Sequence, residues 1–263
     1  MTNSVASPDD VALARIAALR SSHHQLSTVV ESLTPEQLRG RAYPSEWTIA
    51  QVLSHLGSGA EINGLVFDAG LAGQEAPKQE AFQAVWDVWN AKSPDAQAAD
   101  ALKFNAILLE KIEALDADQR ATASFSLWSG PADIAGFVAS RLGEHAVHGW
   151  DVAVTVDPTA TISPDAVGIV LDGVDRLIGF IGKPAPVGRV HVITTNPDRA
   201  YALVLGEKVA LESWDGGDST GTLALPAEAF LRLMYGRLDA DHTPPLTATG
   251  VDLDTLRAAF PGF

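Results

Sequence analysis

The sequence predicts a mainly α N-terminal half built as a four-helix bundle, joined to a smaller C-terminal α+β domain. Three observations carry this. Apolar residues recur at helical spacing from Val11 to about Val156. They alternate in short runs from Val187 onward, the period of a half-buried strand. Between the two patterns, Asp157-Pro158-Thr159-Ala160 reads as a linker, which sets the domains at 1–156 and 161–263.

The first helix spans Val11 to Leu33, with Val11, Leu13, Ile16, Leu19, Leu26, Val29 and Val30 at roughly helical spacing. Thr34-Pro35-Glu36-Gln37 starts a short helix: Thr caps it, Pro takes the first helical position, and Gln sits three residues after the cap. Tyr43-Pro44-Ser45 is a break. Thr48 and Gln51 repeat the capping pattern and open a helix on which Val52, His55, Gly59, Ile62 and Val66 share one face. A long helical stretch from about Glu80 to Leu115 is interrupted near Ser93-Pro94, because proline disfavours helix at the residue before it. After Ser129-Gly130-Pro131, a helix from about Pro131 to Val154 carries Phe137, Arg141, Glu144, His148 and Asp151 on one face. Four long segments joined by loops suggest an up-and-down bundle.

In the second half, Ser163-Pro164-Asp165 caps a helix reaching Ile181. Strands are expected at Val187–Thr195, Tyr201–Leu205, Lys208–Ser213, Thr220–Leu225 and Leu246–Thr249. Helices are expected from Pro226 to Tyr235 and from Asp252 to Phe260.

Composition narrows function. Asp plus Glu outnumber Lys plus Arg by 33 to 18, a formal charge of −15, which argues against nucleic-acid backbones and anionic membrane surfaces as partners. With no cysteine, disulfides, thiolate metal sites and cysteine nucleophiles are excluded, and any thiol chemistry needs a thiol from outside. Met1–Asp10 is polar without a signal-peptide pattern, and no run of about 18 apolar residues occurs. A cytoplasmic protein with no membrane span is expected. Nothing in the sequence points to an oligomeric state.

The chemistry-bearing residues are His55, Glu144 and His148. Glu144 and His148 stand four apart on one helix, so their side chains stack on one face within reach of a common ion. His55 lies on an earlier helix and completes a His, Glu, His set that leaves a coordination position open. Ordinary readings stand beside this one: His55 as a satisfied core histidine, and Glu144 with His148 as a helix-surface pair. Asp151 reads equally as an acceptor for a ligand imidazole N–H or as a polar residue at the helix end. His145 points about 100° away from Glu144 and is a poor ligand. His23 and His24 are expected on the surface, and Trp47, Trp128 and Trp150 are expected to pack. Arg237 follows a helix and suits either a carboxylate or a solvated cap.

At these residues the chain resembles a known family. Glu46-Trp47-Thr48-Ile49-Ala50-Gln51-Val52-Leu53-Ser54-His55-Leu56 resembles the W-T-x-x-x-(V/L)-L-x-H-L signature of DinB-like four-helix proteins. Glu144-His145-Ala146-Val147-His148-Gly149-Trp150-Asp151 resembles their E-x-x-x-H-x-W-D segment. The similarity is greatest to the mycothiol-dependent maleylpyruvate isomerase family, which pairs a DinB-like metal-binding bundle with a C-terminal domain related to sterol carrier proteins. Leu231 to Arg237 is similar to part of that second domain. The resemblance implies that His55, Glu144 and His148 bind a divalent metal, zinc in the first instance. It implies that Arg237 occupies the position of the family's functional C-terminal arginine. It further implies an enzyme that uses mycothiol as cofactor or co-substrate, isomerising or thiolating a small electrophile. A metal-dependent hydrolase, and a non-catalytic ligand-binding or stress-response protein, are the rival classes.

Overall fold

The computed structural model describes residues 6–262. The first five residues of the polar N-terminal segment, and Phe263, lie outside the described residues. The chain divides into two compact units, Met1–Asp157 and Pro158–Phe263.

The first unit contains α1 (Pro8–Glu31), α2 (Pro35–Arg39), α3 (Ile49–Leu71), α4 (Gln79–Asn90), α5 (Pro94–Glu113) and α6 (Ala117–Thr122). A hairpin of β1 (Phe125–Leu127) and β2 (Gly130–Ala132) follows, then α7 (Ile134–Ala153). The side chains of Ser7, Thr34, Thr48 and Asp116 each accept from the third helical residue's N–H, and their own N–H groups donate back to that residue's side chain. Such caps contribute about 1 kcal/mol each. Ser93 caps α5 with Pro94 in its first turn, so the expected interruption is a true break between α4 and α5.

The bundle is formed by α1, α3, α5 and α7. Helix α3 packs on α5 and α7, and α1 packs on the same two helices. Helices α1 and α3 are therefore diagonal partners, which corrects the simple up-and-down order. The reason lies in α3, which buries residues around most of its circumference and needs partners on two sides. Gly57 lets α5 and α4 close on it: a Cβ there would overlap the Trp89 indole and come within 2.9 Å of Ala101 Cα. At one end of the bundle Phe67, Phe125 and Phe137 cluster, with ring centroids 4.7–5.6 Å apart.

Two features of residues 115–133 escape periodicity. Helix α6 and the hairpin are too short to show a repeat, and Pro131 sits in a strand rather than at a helix start. Asp133 is the cap that opens α7. Trp128, at the hairpin turn, is 84 % exposed and packs only at its edge, its ring 6.4 Å from that of Phe82.

The second unit contains α8 (Pro164–Leu171), α9 (Val174–Ile181), β3 (Gly188–Thr195), β4 (Arg199–Leu205), β5 (Ala210–Ser213), β6 (Gly221–Pro226), α10 (Ala227–Met234), β7 (Thr247–Thr249) and α11 (Leu253–Ala259). The single helix expected from Ser163 to Ile181 is two, because Asp172-Gly173 breaks it and Gly173 takes a non-helical conformation. The sheet order is β5-β4-β3-β6-β7, with β3 and β6 parallel and the other pairs antiparallel. Val190, Val192, Leu223 and Leu225 are buried, and α10 packs on β3 and β6. Gly236 ends α10 in the left-handed region (φ +71°), where any Cβ would strike the Gly262 backbone, and so turns the chain into Arg237. Among the described residues no helix is long and apolar enough to cross a membrane.

Gly57→Ala should lower unfolding free energy by about 1–3 kcal/mol, since neither a buried indole nor a helix backbone can yield cheaply. Urea denaturation of the two proteins measures this directly.

Candidate metal centre

Two helix starts bring the site together. Thr48 Oγ1 accepts from Gln51 N and fixes the start of α3 two turns ahead of His55. Asp133 Oδ1 accepts from Gly136 N and fixes the start of α7, three turns ahead of Glu144. Where the two helices pack, His55 Nε2 lies 3.0 Å from Glu144 Oε2, and His148 Nε2 lies 3.7 Å from the same oxygen. The two imidazoles meet edge to face with centroids 4.7 Å apart. One donor atom from each of His55, Glu144 and His148 lies within 4.8 Å of the others. These are the three residues singled out in the sequence.

The trio fits a metal ion by its chemistry. Two neutral imidazole nitrogens and one carboxylate oxygen suit zinc and other borderline divalent ions. The Glu144 side chain is 48 % exposed, so solvent or a ligand reaches the donors from one side. Phe137 on the same helix is fully buried, so α7 runs from the core out to an open rim within two turns.

Asp151 is fully buried, and its Oδ2 accepts from His148 Nδ1 at 2.9 Å. That bond places the proton of the neutral ring on Nδ1 and turns Nε2, as an acceptor, toward Glu144. Of the two readings of Asp151, the structure shows the imidazole partner. Its own backbone is held, since Tyr43 N donates to Asp151 O at 3.2 Å and the Tyr43 and Trp150 rings meet edge to face. Trp47 flanks the trio, with its ring 5.5 Å from that of His55 and 6.5 Å from that of His148.

Arg141 sits one turn before Glu144 and is 3 % exposed. Its Nη2 donates to Leu56 O at 2.7 Å and to Asn105 Oδ1 at 2.6 Å, joining α7 to α3 and α5 beside His55. Burial pulls its pKa down to about 10, still cationic at neutral pH. Partial burial by itself would raise the Glu144 pKa; the His55 hydrogen bond, the charges that His148 and His55 carry when protonated, and that of Arg141 outweigh it and hold the carboxyl at about 2. Arg141 was visible in the sequence as a charge on the face of Phe137, but its role depends on Leu56 O and Asn105, which no spacing rule connects to it.

The other histidines take no part. His145 is buried, its Nδ1 is 2.8 Å from Ser22 Oγ, and burial holds its pKa well below the usual value. His23 is not on the surface as expected: its ring packs edge to face on His145 at 5.9 Å, because Ser22 and His23 turn into the bundle while His24 faces out. Arg237 lies in the second unit, buried, with Nη1 donating to Tyr235 O at 2.6 Å.

A helical bundle with a His–Glu–His set on two facing helices, followed by a mixed-sheet unit, defines a class of two-unit proteins with a candidate metal centre in the bundle. Residues 19–153 match the family described as mycothiol maleylpyruvate isomerase N-terminal domain, and the chain belongs to that family. The matched span contains His55, Glu144 and His148 and stops short of Arg237. Among solved structures, the mycothiol-dependent maleylpyruvate isomerase is similar at TM-score 0.68 and 13 % identity, over 93 % of this chain and 96 % of that one. A histidine-to-alanine mutant of the isomerase gives the same TM-score and coverage at 14 % identity. At this identity the likeness is one of fold. No curated protein matches the chain.

The Glu144 carboxyl is depressed in the folded protein, so it stabilises the fold above its ordinary pKa near 4.5, and that contribution fades as pH falls toward about 2. Metal-free Glu144→Gln should therefore be less stable than wild type at neutral pH. Because the pair is half exposed, the gap should stay below about 1 kcal/mol. It should narrow on acidification through this window, as thermal melts at a series of pH values would show.

Proposed function

We propose that this chain is a metal-dependent enzyme that uses a low-molecular-weight thiol, mycothiol, as cofactor or co-substrate and acts on a small electrophile as an isomerase or S-transferase. The observation that carries this is the approach of the His55, Glu144 and His148 donor atoms to within 4.8 Å at a solvent-open rim, inside the span that matches the family.

His55 Nε2, His148 Nε2 and a Glu144 oxygen would hold the ion, with zinc the first candidate. When bound, a divalent ion supplies the charge that lowers the pKa of a coordinated thiol, so that thiolate is present at neutral pH. The protein's own residues do the rest. Asp151 keeps His148 in the acceptor tautomer and orients its ring. Glu144, anionic across the physiological range, competes poorly for protons and stays available as a donor. Trp47 screens one flank of the histidines from water. Arg237 is assigned to a substrate carboxylate or to the charge that develops on an enolate. In an isomerase the thiol adds to a conjugated double bond and leaves after rotation; in an S-transferase it remains on the product. No nucleic acid and no membrane enters this scheme.

The test is metal content of purified wild type against His55→Ala, with mycothiol titrated into both by calorimetry. About one ion per chain is expected, lost in the variant, with thiol binding that disappears alongside it. Metal without thiol binding would favour the hydrolase. A chain that takes up no metal even on reconstitution would sink the metal-enzyme reading and leave a ligand-binding protein.

A further inference from the structure

Arg141 is a buried cation whose hydrogen-bond partners are uncharged. Its two hydrogen bonds go to Leu56 O and Asn105 Oδ1, and Nε has no partner among the described residues. Leaving a guanidinium in that position is costly, and a methionine or leucine would fill the volume without the cost. Glu144, one turn further along α7, is the carboxylate whose charge it feels. A second carboxylate, that of the fully buried Asp151, lies against His148.

Counting charges shows what the cation does. The carboxylates of Glu144 and Asp151 together cancel a divalent ion, which would leave the centre neutral and indifferent to the charge of an incoming ligand. Arg141 returns it to a net single positive charge, which one monoanion then neutralises. Unit charges in a partly buried, low-dielectric setting couple far more strongly than in water.

We propose that Arg141 is a positioning residue of an electrostatic kind: its fixed charge biases the His55–Glu144–His148 centre toward a monoanionic ligand over a neutral one. This rests on the metal-binding reading of the trio. The ligand class is a soft or pseudohalide monoanion, of which a thiolate is one member and water is not. The same charge repels the metal ion, so Arg141 lowers metal affinity while raising anion affinity. A residue that merely braced α3 against α7 would do the opposite to the metal, because loosening the helix pair would spread the three donors.

The experiment loads the full-length protein with cobalt(II) and follows azide binding through the visible absorption bands, at constant pH and ionic strength. Arg141→Gln removes the charge and leaves a shorter, polar side chain in its place. It should weaken azide binding by about tenfold or more while cobalt affinity holds or rises. Arg141→Lys should restore azide binding to near wild type. Asp151→Asn, which can still accept from His148, should tighten azide binding, a sign that no purely structural loss would produce. Should Arg141→Gln fail to fold, Asp151→Asn carries the test. Azide affinity unchanged in cobalt-loaded Arg141→Gln, or weakened in Asp151→Asn, overturns the inference while the metal reading stands. Failure of wild type to bind cobalt overturns both.

Discussion

The packing of α7 against α3 is the constraint on which the candidate centre depends. One helix brings His55 and the other brings Glu144 and His148, so any slip of one past the other separates the donors. A rise of 1.5 Å per helical residue means that a single-residue shift would break the 3.0 Å contact between His55 and Glu144. The Arg141 bond to Leu56 O opposes that slip at the residue next to His55. Gly59 on α3 leaves room for this guanidinium, since a Cβ there would come within 3.1 Å of Arg141 Nη1.

The polarity of the site follows from its place at the edge of the core. Inward, toward Phe137, the bundle is largely apolar, and Arg141, His145 and Asp151 each carry a specific partner there. Outward, Glu144 and His55 reach solvent. The gradient gives the donors a rigid back and an open front. It also concentrates charge, because groups on the buried side are poorly screened and act on Glu144 at short range. The second unit is organised differently: a mixed five-stranded sheet on which α10 packs, ending in the left-handed Gly236 that delivers Arg237 into a buried position.

Local signals were legible wherever they were chemically explicit. Thr34, Thr48 and Ser163 announced helix starts, because a side-chain oxygen that satisfies a free N–H is a short-range event. Alternation in β3 announced a strand, because a half-buried sheet imposes period two. The β1–β2 hairpin and α6 were not legible, since strands of three residues and a helix of six hold too few positions for a repeat. The break at Gly173 was visible as a glycine, but only the packing of α8 on α10 and of α9 on β5 determines that the helix bends there. The inward turn of His23 was equally hidden, because adjacent histidines look alike until a neighbour such as His145 is in place.

By itself, the sequence determined the fold class, the family-like motifs and the three residues that gather at the candidate centre. Each of these rests on residues close together in the chain or on a period that one helix or strand imposes. Tertiary structure alone decided that His55 meets Glu144 across a sequence separation of 89 residues, that Asp151 rather than solvent holds His148, and that Arg141 is buried beside them. It also decided the diagonal placement of α1 and α3. The physical reason is that hydrogen bonds and charge coupling depend on distance in space. Only the packing of four helices converts separation along the chain into contact.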